Sequence, residues 1–236
     1  MRSKIIYEDE VLLVVHKPAG LATQSAAVGQ GDVASELKNY LAKQGKGTYL
    51  GIVHRLDQPV EGLLAFAKSP KAAAALTSQL QAGMLHKTYY AVTFGKPEEK
   101  EGVLTDYLQK DGNVARVVTG REKDFPQAQK AKLSYRMLEA LHFEDAGEDA
   151  SLLEVRIETG RFHQIRAQLS HAGMPILGDR KYGNAASDAL GRRLGATEVS
   201  LCALSLELSH PITRKAMKWE IRPQGAAFLP FLEKRA

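Results

Sequence analysis

The chain has 236 residues, 44% hydrophobic and 25% charged, with a formal net charge of +5, enough chain to bury a core as one domain or as two lobes about a cleft. No apolar stretch approaches the length of a bilayer-spanning helix, and Met1-Arg2-Ser3-Lys4 leads straight into Ile5-Ile6-Tyr7 without the apolar stretch of a secretory leader, so a cytoplasmic location off the membrane is expected. The single cysteine, Cys202, excludes an intrachain disulfide and a thiolate cluster for zinc.

Ile5-Ile6-Tyr7 and Val11 to Val15 are β-rich runs separated by Glu8-Asp9-Glu10, which predicts a hairpin. His16-Lys17-Pro18-Ala19-Gly20 is expected to end the second strand. Gly29-Gln30-Gly31 reads as a loop, and Asp32 as the cap of a helix with Val33, Leu37, Tyr40 and Leu41 on one face, ended by Gly45-Lys46-Gly47. Gly51-Ile52-Val53 leads to His54-Arg55-Leu56-Asp57. Pro59 and Gly62 then predict a bend before the apolar run Leu63 to Ala67, placing Asp57 on a loop tip between two buried strands. Ser69 caps the next helix, Pro70 fits its first turn and Gly83 stops it.

His86 to Phe94 reads as a strand, followed by strands near 103–108, 114–118, 132–143 and 152–157, with loops at 119–130 and 144–150. A helix is expected over 161–172, a long basic surface segment over 178–197, strands over 199–208 and 215–221, and a last helix over 228–234. Strands outnumber helices and come in consecutive runs. That is an α+β pattern with a mixed, largely antiparallel sheet and flanking helices.

The charge is unevenly placed. Residues 161–193 hold Arg161, Arg166, Arg180, Lys181, Arg192 and Arg193 against Asp179 and Asp188, whereas 144–158 opposes six carboxylates with Arg156 alone. Clustered cations suit a phosphate backbone, although an ordinary solvated surface accounts for them equally well.

Two elements carry chemistry. His54-Arg55-Leu56-Asp57 offers a carboxylate, and Gly160-Arg161-Phe162-His163-Gln164-Ile165-Arg166 offers a fixed positive charge near the start of a helix. An aspartate beside an arginine is held ionised, and an ionised carboxylate in a cleft can serve as a nucleophile. These motifs resemble the RluA-type pseudouridine synthases. So do Lys17-Pro18-Ala19-Gly20, Gly62 to Ser69, Lys87-Thr88-Tyr89, Pro175 to Asp179 with Tyr182-Gly183, and His210-Pro211-Ile212-Thr213.

The resemblance implies a single catalytic domain over 1–236, without a preceding S4 domain, folded as a sheet with flanking helices around a central cleft. It implies a monomer that isomerises uridine in rRNA or tRNA with no metal and no nucleotide cofactor. It assigns Asp57 as nucleophile, Arg166 as its partner and Tyr89 as the ring packing on the target base. Arg55 would hold that base out of its helix, and His54, Arg161, His163, Gln164 and Ile165 would shape the pocket or contact RNA. Two positions depart from the family pattern: Val60-Glu61 stands where many relatives have Thr-Ser, and Cys202 stands where a His is usual. Substrate choice is expected to reside in the loops at 110–130 and 178–197. The departures motivate an alternative, a non-catalytic RNA-binding or chaperone protein. A third reading takes Asp57 and Glu61 as the paired carboxylates of a glycoside hydrolase.

Overall fold

The apolar run after Gly62 becomes the middle strand of a sheet. The computed structural model describes residues 1–25, 31–45, 47–119 and 125–233. In chain order the first elements are β1 (Lys4–Glu8), β2 (Leu12–Lys17), α1 (Val33–Lys43), β3 (Gly51–Ile52), β4 (Glu61–Ala67), α2 (Pro70–Gln81), β5 (His86–Phe94) and β6 (Glu101–Asp111). Next come β7 (Val114–Val118), β8 (Gln129–Phe143), β9 (Glu148–Ile157), α3 (Gln164–His171), α4 (Ala185–Arg193), β10 (Leu201–Ser209), β11 (Ala216–Glu220) and α5 (Leu229–Leu232). The chain divides into two compact units, Met1–Lys87 with Cys202–Pro223, and Thr88–Leu201 with Gln224–Ala236.

In the first unit β4 pairs antiparallel with β2 along its length. Its other edge is shared by β10, parallel at Glu61 and Gly62, and by β3 at Phe66 and Ala67. A strand flanked on both edges and covered on both faces has no use for polar alternation, and every residue of β4 is buried. Leu63, Ala65 and Ala67 pack with Leu12, Val14, Leu206 and Leu208 against Ala72 and Leu76 of α2. Each such leucine contributes about 1.5–3 kcal/mol on burial. Ser69 caps α2 by accepting from the Ala72 N–H, and Asp32 caps α1 by accepting from the Ser35 N–H at 2.7 Å. Gly62 has φ 143°, and a Cβ there would meet the Ala203 nitrogen at 2.6 Å, so β10 can approach only a glycine.

The second unit is an antiparallel meander in the order β5-β9-β8-β6-β7. Within the two units the pairings are antiparallel except β4 with β10, so the α+β, largely antiparallel expectation holds.

Several local expectations change. β2 runs through His16 and Lys17, both buried, because Lys17 finds carbonyl partners inside. The strand before Asp57 is only the two half-buried residues of β3. The loop at 144–150 is a turn, with β9 starting at Glu148, because His142 and Asp149 face each other across a hairpin and hydrogen-bond at 2.7 Å. The helix expected over 161–172 starts at Gln164.

Within 178–197, α4 forms under a reciprocal Asn184–Ser187 capping box, and Asp179 and Leu190 are buried; the segment is not simply basic surface. The closing helix shrinks to a 3-10 turn at Ala226–Phe228 and the short α5. The turns expected around 29–30, Lys46, 120–124 and Lys234 lie outside the described residues.

Candidate active site

The segment His54 to Asp57 behaves like an extended strand without a ladder: alternate side chains face in and out. His54 and Leu56 are buried, Arg55 is exposed and Asp57 is half-buried. Local bonds hold this alternation. His54 Nε2 accepts from the Ala65 N–H at 3.1 Å, tying the segment to β4. Thr23 Oγ1 donates to the Leu56 carbonyl at 2.9 Å and accepts from the Leu56 N–H at 3.1 Å. The fully buried Lys17 ammonium donates to the carbonyls of Gln58 (2.9 Å), Leu21 (2.6 Å) and Pro18 (3.0 Å). The Val60 N–H then donates to the Asp57 carbonyl at 3.0 Å, closing the turn that Pro59 predicts. Asp57 thus sits, half-buried, between two residues whose backbones are fixed.

Burial, then the Lys87 ammonium 3.4 Å from Nδ1, drives the His54 pKa well below 6.5, so the ring is neutral. A buried ring fixed in this way is suited to holding the turn rather than to touching a large polyanion. Glu61 is buried against His16, with Nε2 and Oε1 2.8 Å apart, beside Cys202 across the parallel pairing. The carboxylate that replaces a hydroxyl in the motif therefore lies inside the sheet. That placement weakens the glycoside hydrolase reading, which needs it at the surface. Burial, and after it Glu61, pushes the Cys202 thiol well above 9.0, so it is no nucleophile at neutral pH.

The second motif builds a different site. His163 adopts the left-handed conformation (φ 53°) and turns the chain into α3. The Gln164 side chain serves the turn rather than solvent: Oε1 accepts from the Thr159 hydroxyl and the Arg161 N–H, and Nε2 donates to the Lys132 carbonyl. Arg166, only 3% exposed, donates from Nε and Nη2 to the two oxygens of Asp179, each at 2.7 Å. Asp179 also accepts from the Lys181 N–H, and the Arg166 guanidinium lies 5.1 Å from the centre of the Tyr182 ring. Tyr182 accepts from the Ala115 N–H at 2.6 Å, and its hydroxyl is 2.8 Å from His163 Nδ1. Tyr89 is buried in β5 opposite Val155.

The structure thus brings His54, Arg55 and Asp57 together in the first unit, and Arg161, His163, Gln164, Ile165 and Arg166 together in the second. Of the residues expected to contact RNA, only Arg55 and Arg161 are exposed; His54, His163, Gln164 and Ile165 are buried. Sequence reasoning missed Lys17, His16, Asp179 and Tyr182 as builders of these sites. Lys17 carries one usable signal, a lysine ending an apolar strand and followed at once by Pro. Asp179 and Tyr182 fall within motifs that carry the family resemblance, but nothing in the sequence pairs them with Arg166 and His163. Among the described residues no group of three or more His, Cys, Asp or Glu could hold a metal ion, and no helix is long and apolar enough to cross a membrane.

Comparison with known proteins gives one direction. Residues 11–171 match the family model described as RNA pseudouridylate synthase. The chain is 35% identical over 210 residues to an uncharacterized RNA pseudouridine synthase of Bacillus subtilis, covering 89% of this chain and 65% of that protein. It is 37% identical over 227 residues to ribosomal large subunit pseudouridine synthase D of Pseudomonas aeruginosa, covering 92% and 67%. The chain therefore spans about two thirds of the length of these curated relatives. Two solved structures share the fold: human RNA pseudouridylate synthase domain containing 4 (TM-score 0.75, 23% identity, 98% of this chain and 92% of that one) and domain containing 1 (0.76, 20%, 98% and 86%).

Proposed function

The chain belongs to the RNA pseudouridylate synthase family, and from that premise we propose that it converts uridine in structured RNA to pseudouridine with Asp57 as the nucleophile. The observation that supports this reading is the Asp57 turn, with fixed neighbours on both sides of a residue that is only half-buried. Such preorganisation costs the reaction no ordering of the nucleophile when substrate arrives. The carboxylate forms a covalent bond to the uridine, dividing the exchange into two steps. The N1–C1′ bond breaks, the base turns, a C5–C1′ bond forms, and the bond to the carboxylate breaks again so that Asp57 is returned free. The C5 proton leaves and N1 takes one up, so the product is an isomer and no redox partner is consumed.

In this reading Arg166 supplies positive charge toward the reacting centre and Tyr89 packs on the base. Exposed Arg55, next to Asp57, holds the extruded nucleotide out of its helix. The protein acts as a cytoplasmic monomer. Relatives named as ribosomal large subunit pseudouridine synthases make large-subunit ribosomal RNA the first substrate to examine.

The test is deletion of the gene in its host, with pseudouridines mapped in total RNA by carbodiimide-block sequencing. The expected result is loss of one or a few sites, restored by the wild-type gene and not by Asp57→Ala. Restoration by Asp57→Ala would defeat the nucleophile assignment. An unchanged map with good expression would favour a non-catalytic RNA-binding protein.

A further inference from the structure

The motif around Arg166 contains an aromatic residue to which the catalytic reading gives no task. Phe162 is 41% exposed, on the turn that His163 forces into the left-handed conformation. One face of its ring stacks on the His163 imidazole, with centroids 3.8 Å apart and planes within 22°. His163 is itself fixed, edge-on to Tyr182 and hydrogen-bonded to the tyrosine hydroxyl. The Phe162 ring is therefore a rigid, outward-facing platform rather than a loose surface side chain.

Its surroundings are cationic. The Lys110 ammonium lies 5.2 Å from the ring centroid. Arg161 is exposed, with Nε fixed on the Lys130 carbonyl, and Lys181 is exposed, with Nζ on the Asn113 carbonyl in the turn after β6. Of the carboxylates close in sequence to Lys110 and Arg161, Asp111 pairs with Arg116 and Glu158 with Lys132. A flat apolar face ringed by cations is complementary to a nucleotide, whose base stacks while its phosphate meets the lysine and arginine.

We propose that Phe162 is a stacking platform for an unpaired base of the RNA substrate, with Lys110 and Arg161 contacting the adjoining phosphates. The inference rests on RNA being the substrate and adds a point of attachment in the second unit to the chemistry assigned to Asp57. Lys110 holds the free ring as a placeholder. A base stacks on an aromatic face more strongly than an exposed ammonium binds it, so the lysine swings off to a phosphate when RNA arrives.

The test uses the full chain and large-subunit ribosomal RNA carrying tritium at C5 of uridine, reading both binding and tritium release. Phe162→Ala is expected to weaken RNA binding about tenfold, the loss appearing in KM with kcat held within about twofold. Phe162→Leu, which keeps apolar cover on His163, is expected to behave like Phe162→Ala, while Phe162→Tyr keeps wild-type affinity. Phe162→Trp in a Trp219→Phe background should bind normally and have its fluorescence quenched by RNA; this variant decides the matter if Phe162→Ala folds poorly. Wild-type affinity in Phe162→Leu, or unquenched tryptophan at 162, would overturn the platform while leaving Asp57 chemistry intact. RNA binding and quenching without tritium release would keep the platform and defeat the catalytic reading. A wild-type chain that binds no RNA would overturn both.

Discussion

The Asp57 turn and the Arg166 turn carry opposite charges and are built on opposite plans. Around Asp57 the backbone is held on both sides by Thr23, His54 and Lys17, and the residue as a whole is half-buried. Around Arg166 the charge itself is sealed, 3% exposed, and locked in two parallel bonds to an Asp179 that is fully buried. A group that must meet a substrate is best held through its neighbours. A group whose charge must keep one direction is best held through its own polar atoms. The same fold uses both methods.

Matched neutral replacements should separate the two plans most sharply. Asp57→Asn is expected to abolish tritium release while costing the half-buried position less stability than the change at Asp179. Asp179→Asn leaves a buried guanidinium without its carboxylate and is expected to cost about 3–5 kcal/mol in urea unfolding. Equal effects of the two on stability would erase the contrast.

Lys17→Met tests whether the Asp57 turn is positioned through its backbone. Methionine fills the space but leaves the Gln58, Leu21 and Pro18 carbonyls without the ammonium, at roughly 1 kcal/mol each. The expected result is a loss of about 3 kcal/mol together with a lower kcat at nearly unchanged KM. A purely structural lysine would lower stability and leave the kcat of the folded fraction alone.

The smallest effect is in the pH dependence of stability. His54 is neutral when folded and titrates near 6.5 when unfolded. Below that value the unfolded chain binds a proton that the folded chain refuses, so stability falls as pH drops from about 7 toward 5. His142 acts in the other direction: its hydrogen bond to Asp149 raises its pKa, so it adds stability as pH falls. Asp9, Asp32 and Glu36 act lower still. Burial raises their pKa values, but hydrogen bonds from Tyr7 and the Val11 N–H, from the Ser35 N–H, and from Ser3 outweigh it, leaving them below 3.8, 3.8 and 4.5. The decline between pH 7 and 5 should therefore shrink in His54→Gln and steepen in His142→Gln. An unaltered slope in His54→Gln would mean the ring is not the neutral pin described above.

The sequence discloses these plans unequally. α2 is legible because Ser69, Pro70 and Gly83 act locally, through a cap, a fixed φ and a left-handed stop, and its register depends on nothing distant. The turn at Asp57 is legible for the same reason. Lys17 is not, since a lysine after an apolar strand reads as exposed until carbonyls from positions 21 and 58 arrive to receive it. Asp179 and Tyr182 become partners of Arg166 and His163 only when the second unit folds, and α4 hides because its cap is polar and its buried face is little more than Leu190. The Glu61 departure looked like a change beside the nucleophile, yet the sheet turns it toward His16.

The buried, protonated Cys202 has a practical consequence. It is the chain's one thiol, and it lies fully covered in β10. A maleimide should ignore the native protein and modify it only on unfolding. A cysteine introduced at the exposed Gln58 or Gly160 would then take a single spectroscopic label beside Asp57 or Phe162 without removing a native residue from the core, making the arrival of RNA at each place separately visible.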